Sequence, residues 1–242
     1  MQNKVLLLIC GLIVLTSCAH RSGHTRQHLR SSHSQTVNSR QGKNEAVAHI
    51  GKQTETLLPT EIFKLFNKAV FIVMTTDGEQ AFQGSGFFIG EHGLAVSNYH
   101  VFQGTLTGLE KIKMVGSENL YEVIEVIHKD SERDFILFRV NCENSCYIPI
   151  AGEKPAVGAK VYAIGSPKGL ENTFSSGEVS QWRTNYLMQI NVSIDFGSSG
   201  GALINERGQA VGITSGTLDA KSNANLNYAW SIDAVKPYLR LK

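Results

Sequence analysis

Cysteine is scarce in this chain of 242 residues, with four in all, and its charges nearly cancel: 23 Lys and Arg against 21 Asp and Glu leave a formal +2. So small a balance lacks the basic footprint of a nucleic-acid binder, and a hydrophobic fraction of 42% is too high for a disordered chain. Long uninterrupted helical patterns are also missing, while 23 glycines are spread along the sequence. Short strands and tight turns fit that mix, so the expected fold class is all-β. One further absence concerns the membrane: the apolar run Val5–Leu15, VLLLICGLIVL, is too short to span a bilayer comfortably.

That run follows Met1–Lys4, which carries one positive charge, and it reads as a secretory signal. It ends in Leu15-Thr16-Ser17-Cys18, a pattern similar to a bacterial lipobox, in which the signal (residues 1–17) is removed and Cys18 carries acyl chains. Each buried methylene of such a chain contributes roughly 0.8 kcal/mol to anchoring. Ala19 is not the Asp that resembles an inner-membrane retention signal, so the expected place is the outer membrane, facing the periplasm. Ordinary cleavage, for example after Ala19, would instead release a secreted protein. Cys10 leaves with the signal, so Cys142 and Cys146 remain, a pair expected to form a disulfide outside the cytoplasm. Two cysteines exclude a four-cysteine zinc site.

Residues 18–59 are rich in Ser, His, Gln, Arg, Thr and Asn and read as a disordered tether. His20, His24 and His28 repeat at four-residue intervals, but nothing around them supports a helix that would gather them on one face. The folded part is expected to begin at Thr60, a candidate N-cap for a short helix, EIFKLFNK. Strand-like runs follow: AVFIVMTT, GFFIG, LAVSNYHVF, YEVIEVIH, FILFRV, KVYAIG, LMQINVSI, QAVGITSG and NYAWSID. Many short strands at close spacing point to a sandwich or a barrel. A short terminal helix is expected in DAVKPYLRLK.

The stretch FGSSGGALIN, Phe196–Asn205, raises the question of a nucleophile. GSSGG satisfies the G-x-S-x-G elbow of α/β-hydrolases, but that fold places its histidine after the serine. No histidine follows His128, so the elbow reading fails on order. The order His, Asp, Ser is available in His100, Asp134 and Ser199. A serine hydroxyl is a poor nucleophile near neutral pH; an imidazole must take its proton, and a carboxylate must hold that imidazole in the right tautomer. Asp130, in the polar KDSER turn, is a rival acid, and His128 is a rival base that reads better as a surface residue. His92 in Glu-His-Gly reads as a turn. So does Asp77-Gly78, which would otherwise permit an Asp-His-Ser order.

Five motifs in one order resemble the trypsin-like serine peptidases of HtrA (DegP-like) type. They are GSGFFIGEHGLAVSNYHVF, RDFILFRV, GSPKGLENTFSSGEVS, FGSSGGALIN and the closing AVGITSG with YAWSI. The resemblance spans about Thr60 to the C-terminus and implies a two-barrel chymotrypsin-like domain over residues 60–242. Its N-terminal barrel would cover about 68–145 and its C-terminal barrel about 150–232. Ser199 would be the nucleophile, His100 the general base and then acid, and Asp134 its orienting partner. The backbone N–H groups of Gly197 and Ser199 would form the oxyanion hole, and Ser198 would be a turn residue. The specificity pocket is expected at Ser193, with Thr214, Ser215 and Gly216 along one wall. Ser193 brings no carboxylate, so small or medium apolar side chains are the expected preference. No PDZ-like segment is recognisable, no metal or organic cofactor is implied, and a homo-oligomer is unsupported. The resemblance implies an endopeptidase acting on unfolded or damaged proteins, with protein or peptide substrates and a membrane reached through a lipid anchor. Two other readings of the same residues stand beside it: a catalytically silent barrel that binds peptides as an adaptor, and a serine esterase.

Overall fold

The computed structural model describes residues 46–144, 146–167, 170, 172–216 and 226–242. Cys18, the signal, and His20, His24 and His28 lie outside the described residues. The first described segment already departs from expectation. Ala46–Leu58, assigned above to the tether, lies along the body of the domain as a strap. Its strand β1 (Val47–Ala48) pairs in parallel with the last strand, Arg240–Leu241. Besides the ladder of β1 with the last strand, main-chain hydrogen bonds fasten the strap along its length. Arg240 N–H donates to Ala46 O, Lys242 N–H to Ala48 O, Ile50 N–H to Lys242 O, Gly51 N–H to Ile150 O, Ile150 N–H to His49 O and Leu57 N–H to Glu206 O. Sequence composition misses it because its attachments come from the backbone, which every residue type supplies.

Helix α1 spans Pro59–Phe66. Its N-cap is Leu58 rather than the expected Thr60: Pro59 suits the first helical turn, where its missing N–H is no loss, and Glu61 accepts the Leu58 N–H at 2.8 Å. Two closed barrels follow. The first is built from β2 (Val70–Thr76), β3 (Ala81–Phe88), β4 (Leu94–Ser97), β5 (Lys111–Met114), β6 (Leu120–Asp130) and β7 (Phe135–Val140), in the order β2-β3-β4-β7-β6-β5. The second contains β8 (Lys160–Gly165), β9 (Thr173–Trp182), β10 (Leu187–Ile190), β11 (Ala202–Asn205), β12 (Ala210–Gly216) and β13 (Asn227–Ser231), in the order β10-β13-β12-β11-β8-β9. Closure leaves no free sheet edge in either barrel.

Strand β7 shows why the barrels sit side by side. Its side chains alternate, and both of its faces are buried, so FILFRV is a continuous apolar run apart from Arg139. Ile136, Phe138 and Val140 fill the first barrel, where Phe71 lies 4.7 Å from Phe88 and 6.4 Å from Phe138 by ring centroid. Phe135 and Leu137 face the other way, into a cluster shared with Tyr162, Ile164, Ala202 and Ile213 of the second barrel. Burying each such large side chain contributes about 1.5–3 kcal/mol, so the contact between barrels is a core in its own right. The second barrel encloses a separate cluster that includes Val161, Met188, Leu203 and Val211.

After β13 the chain makes two 3-10 turns, Ile232–Ala234 and Lys236–Tyr238, in place of a regular helix. Pro237 has no N–H to donate, which limits the run. It then enters β14 (Arg240–Leu241) beside the strap.

The expected bridge between Cys142 and Cys146 is absent, and both thiols are free. Cys142 rests on the interior cluster of the first barrel. Cys146 rests on the cluster between the barrels and donates to Leu65 O at 3.2 Å. Asn144 pins the loop in this arrangement, accepting from Gly93 N–H at 2.7 Å and donating to Gly90 O at 2.9 Å. Burial, with a smaller push from Glu143, raises the Cys142 thiol to about 11.

Candidate active site

A cleft of about 620 Å³ holds His100 and Ser199 together, lined also by Phe82, Gln83, Phe196, Ser215 and Gly216. Each side chain reaches it through a local device. His100 lies in the 3-10 turn Tyr99–Val101 that follows β4. Asp134 sits immediately before β7 with φ 45°, one of two non-glycine residues of positive φ among those described, the other being His92.

The Asp134 carboxylate grips His100 twice. Oδ1 accepts the His100 backbone N–H at 2.9 Å, and Oδ2 lies 2.8 Å from His100 Nδ1. Ser215 Oγ donates to the same Oδ2 at 2.9 Å. With the Asp134 side chain 15% exposed, these bonds satisfy a carboxylate that burial would otherwise penalise. Nδ1 is therefore occupied as a donor, leaving Nε2 as the ring's free acceptor. The rivals are engaged elsewhere. Asp130 pairs with Arg133 at 2.8 Å, and His128 stacks on Tyr238 at 3.5 Å. Asp77 caps its turn, with Oδ1 accepting from Glu79 and Gln80 at 2.9 and 2.7 Å; these bonds lower its pKa.

Ser199 occupies a loop laced down on both sides. Thr214 accepts Gly200 N–H at 2.7 Å, donates its own N–H to Gly201 O at 2.9 Å, and bonds Ser198 O through Oγ1 at 2.8 Å. From the first barrel, Ser85 N–H donates to Ser199 O and Ser85 Oγ to Gly197 O, each at 2.7 Å. The loop comes this close because of its glycines. A Cβ on Gly200, whose φ is +89°, would meet Ser85 O at 2.0 Å. One on Gly84 would meet both Val101 methyls within 2.7 Å. Among the described residues, the N–H groups of Gly197 and Ser199 have no hydrogen-bond acceptor, and neither does the Ser199 hydroxyl.

Of the four residues expected to shape side-chain preference, Ser215 and Gly216 line this cleft. Ser193 and Thr214 do not. They line a neighbouring cavity of about 580 Å³, with Ser198 and Phe174. Thr214 is a strut of the nucleophile loop, and Ser193 O is held by Ser175 Oγ at 2.9 Å. Residues the sequence reading missed include Ser85 and Phe196. The first lies between Gly84 and Gly86 at the start of GSGFFIGEHGLAVSNYHVF, and that flanking pair of glycines was the available signal. The second is 82% exposed beside Gly197.

Residues 84–213 match the family model described as a trypsin-like peptidase domain. The chain is similar to the mitochondrial serine protease HTRA2 of Drosophila virilis, with 31% identity over 173 residues, 66% of this chain and 39% of that protein. It is also similar to the serine protease HTRA1 of Xenopus laevis, with 30% identity over 173 residues, 66% of this chain and 36% of that protein. It thus spans well under half the length of these curated relatives. A crystal structure of the serine endoprotease from Yersinia pestis superposes with a TM-score of 0.66 at 23% identity, covering 76% of this chain and 65% of the other. That likeness describes the two-barrel fold.

Proposed function

Because this chain belongs to the trypsin-like peptidases and its relatives are of HtrA type, we propose that it is a serine endopeptidase using Ser199, His100 and Asp134. The observation that carries this reading is the two-point hold of Asp134 on His100 in the cleft that contains Ser199. His100 Nε2 takes the Ser199 proton as Oγ attacks the scissile carbonyl. The oxyanion so formed is met by the N–H groups of Gly197 and Ser199. His100⁺, stabilised by Asp134, then gives its proton to the leaving amine as the C–N bond breaks, leaving an acyl-enzyme. Water, deprotonated by the same imidazole, releases the acid and restores Ser199. Serine–histidine bonds at such sites are often long before substrate arrives, which fits the unpartnered Ser199 hydroxyl.

Unfolded or damaged proteins are the proposed substrates. The support is the HtrA likeness together with a cleft whose rim exposes Phe82 (43%) and Phe196 (82%), aromatic surface suited to the apolar segments that unfolded chains present. Small or medium apolar side chains are the proposed preference at the scissile bond. The test is cleavage of reduced, unfolded casein and of its folded competitors by the wild type, Ser199→Ala and His100→Ala. The proposal expects casein to be cut by the wild type alone. Binding without cleavage would replace it with a peptide-binding adaptor, and turnover of esters without peptides would replace it with an esterase.

We also propose that residues 1–17 direct export and that Cys18 is acylated, placing the enzyme at the outer membrane and facing the periplasm. The support is the LTSC motif after an apolar run. Among the described residues no helix is long and apolar enough to cross a membrane. Mass spectrometry of the native N-terminus should show an acylated Cys18; a free, unmodified N-terminus at any other residue would refute it.

A further inference from the structure

Asn98 sits two residues before His100 and is fully buried. It occupies the N-cap of the 3-10 turn that carries His100, with extended backbone angles of φ −75° and ψ 145°. Asn is favoured at such positions because its side-chain oxygen accepts an N–H from the turn. Here no such bond is made. The side chain reaches across instead, and Nδ2 donates to the backbone carbonyl of Asp134 at 2.8 Å. That choice leaves Asn98 Oδ1 buried without a hydrogen-bond partner, the one such side-chain atom among the described residues. Reversing the amide would set two oxygens against each other, so the donor must face Asp134.

A buried acceptor left unpaired is costly, and a non-glycine residue at φ 45° is strained. These two unfavourable features meet at one hydrogen bond, and that bond holds the backbone of the residue whose carboxylate grips His100. The other bonds to Asp134 act on its side chain, from His100 N–H, His100 Nδ1 and Ser215 Oγ. Only Asn98 acts on its carbonyl among the bonds described here. We infer that Asn98 is a positioning residue: it fixes the left-handed backbone of Asp134 so that both carboxylate oxygens face His100. The inference rests on the triad reading above and gives that reading a third, buried support.

The test compares Asn98→Ala, which removes the donor, with the isosteric Asn98→Asp, which sets an acceptor against the Asp134 carbonyl. Three readouts are taken: peptide hydrolysis, the downfield NMR signal of the His100 Nδ1 proton, and the same substitutions in an Asp134→Ala background. The inference expects kcat to fall about 10- to 100-fold, as for a small misplacement of reacting groups, with KM within about twofold. The Nδ1 signal should shift or vanish in both variants. In the Asp134→Ala background Asn98→Ala should cost nothing more, because the two residues act as one unit. If Asn98→Ala does not fold, Asn98→Asp and the NMR signal carry the test. An unmoved signal with kcat within twofold overturns the inference, and so does an equal loss in the Asp134→Ala background. If the wild type shows no peptidase activity but its His100 signal is lost in the variants, the peptidase reading fails and this one stands.

Discussion

Single residues decide how closely the two barrels approach the reacting groups. Ser85 is the clearest case. Its hydroxyl donates to Gly197 O at 2.7 Å and accepts Ser166 N–H at 2.9 Å, while Ser97 Oγ donates to its carbonyl at 2.6 Å. Three separate segments therefore converge on a serine that is completely buried. Ser85→Ala leaves an acceptor and a donor without their partner, a cost of about 2–3 kcal/mol. The expected fall in melting temperature is about 4–12 °C, with slower acylation of Ser199 because Gly197 loses a support. Unchanged stability and acylation would show that the Ser85 hydroxyl does not hold the loop, leaving that task to Thr214 and the Ser85 backbone N–H. His100, Asp134 and Ser199 were legible from sequence because their neighbours, NYHV, RDF and GSSGG, are local motifs. Ser85 and Asn98 were not, since Asn98 reaches Asp134 across 36 positions and Ser85 reaches Gly197 across 112, between the barrels.

At the scale of elements, the strap is the feature that composition concealed. Ala46–Leu58 contains little that reads as core, yet Ala48 is fully buried and Ile50 bridges to Ile150. A chain starting at Pro59 loses at least six main-chain bonds, each contributing about 1 kcal/mol before the entropy of ordering is subtracted. Compared with a chain starting at Ala46, it should melt about 5–10 °C lower. Equal melting temperatures would mean that the strap adds nothing net. The strands themselves were largely legible, because alternation and turn signals are local. The specificity wall was legible only in part. Thr214, Ser215 and Gly216 are consecutive on β12, but the pairing with β13 shifts register between Thr214 and Gly216, which breaks simple alternation and leaves Ser215 and Gly216 on the cleft and Thr214 off it.

Across the whole molecule, one arrangement recurs: in the proposed mechanism the first barrel supplies the base and its acid, His100 and Asp134, and the second supplies the nucleophile, Ser199. Asp134 Oδ2 receives Ser215 Oγ from the second barrel, and Ser199 O receives Ser85 N–H from the first. The proposed catalysis therefore depends on the apolar contact between barrels as much as on His100, Asp134 and Ser199. The five motifs carried the two-barrel architecture into view because each marks a strand or a loop of it. That Cys142 and Cys146 stay unbridged was not legible, because which core a thiol faces depends on packing rather than spacing. The most direct test of the account is labelling by a fluorophosphonate probe of the chain from Ala46 to Lys242, beside Ser199→Ala and Ser198→Ala. The account predicts one label per wild-type molecule, retained in Ser198→Ala and abolished in Ser199→Ala. Labelling that persists in Ser199→Ala, or a folded wild type that never labels even with unfolded protein present, would contradict it.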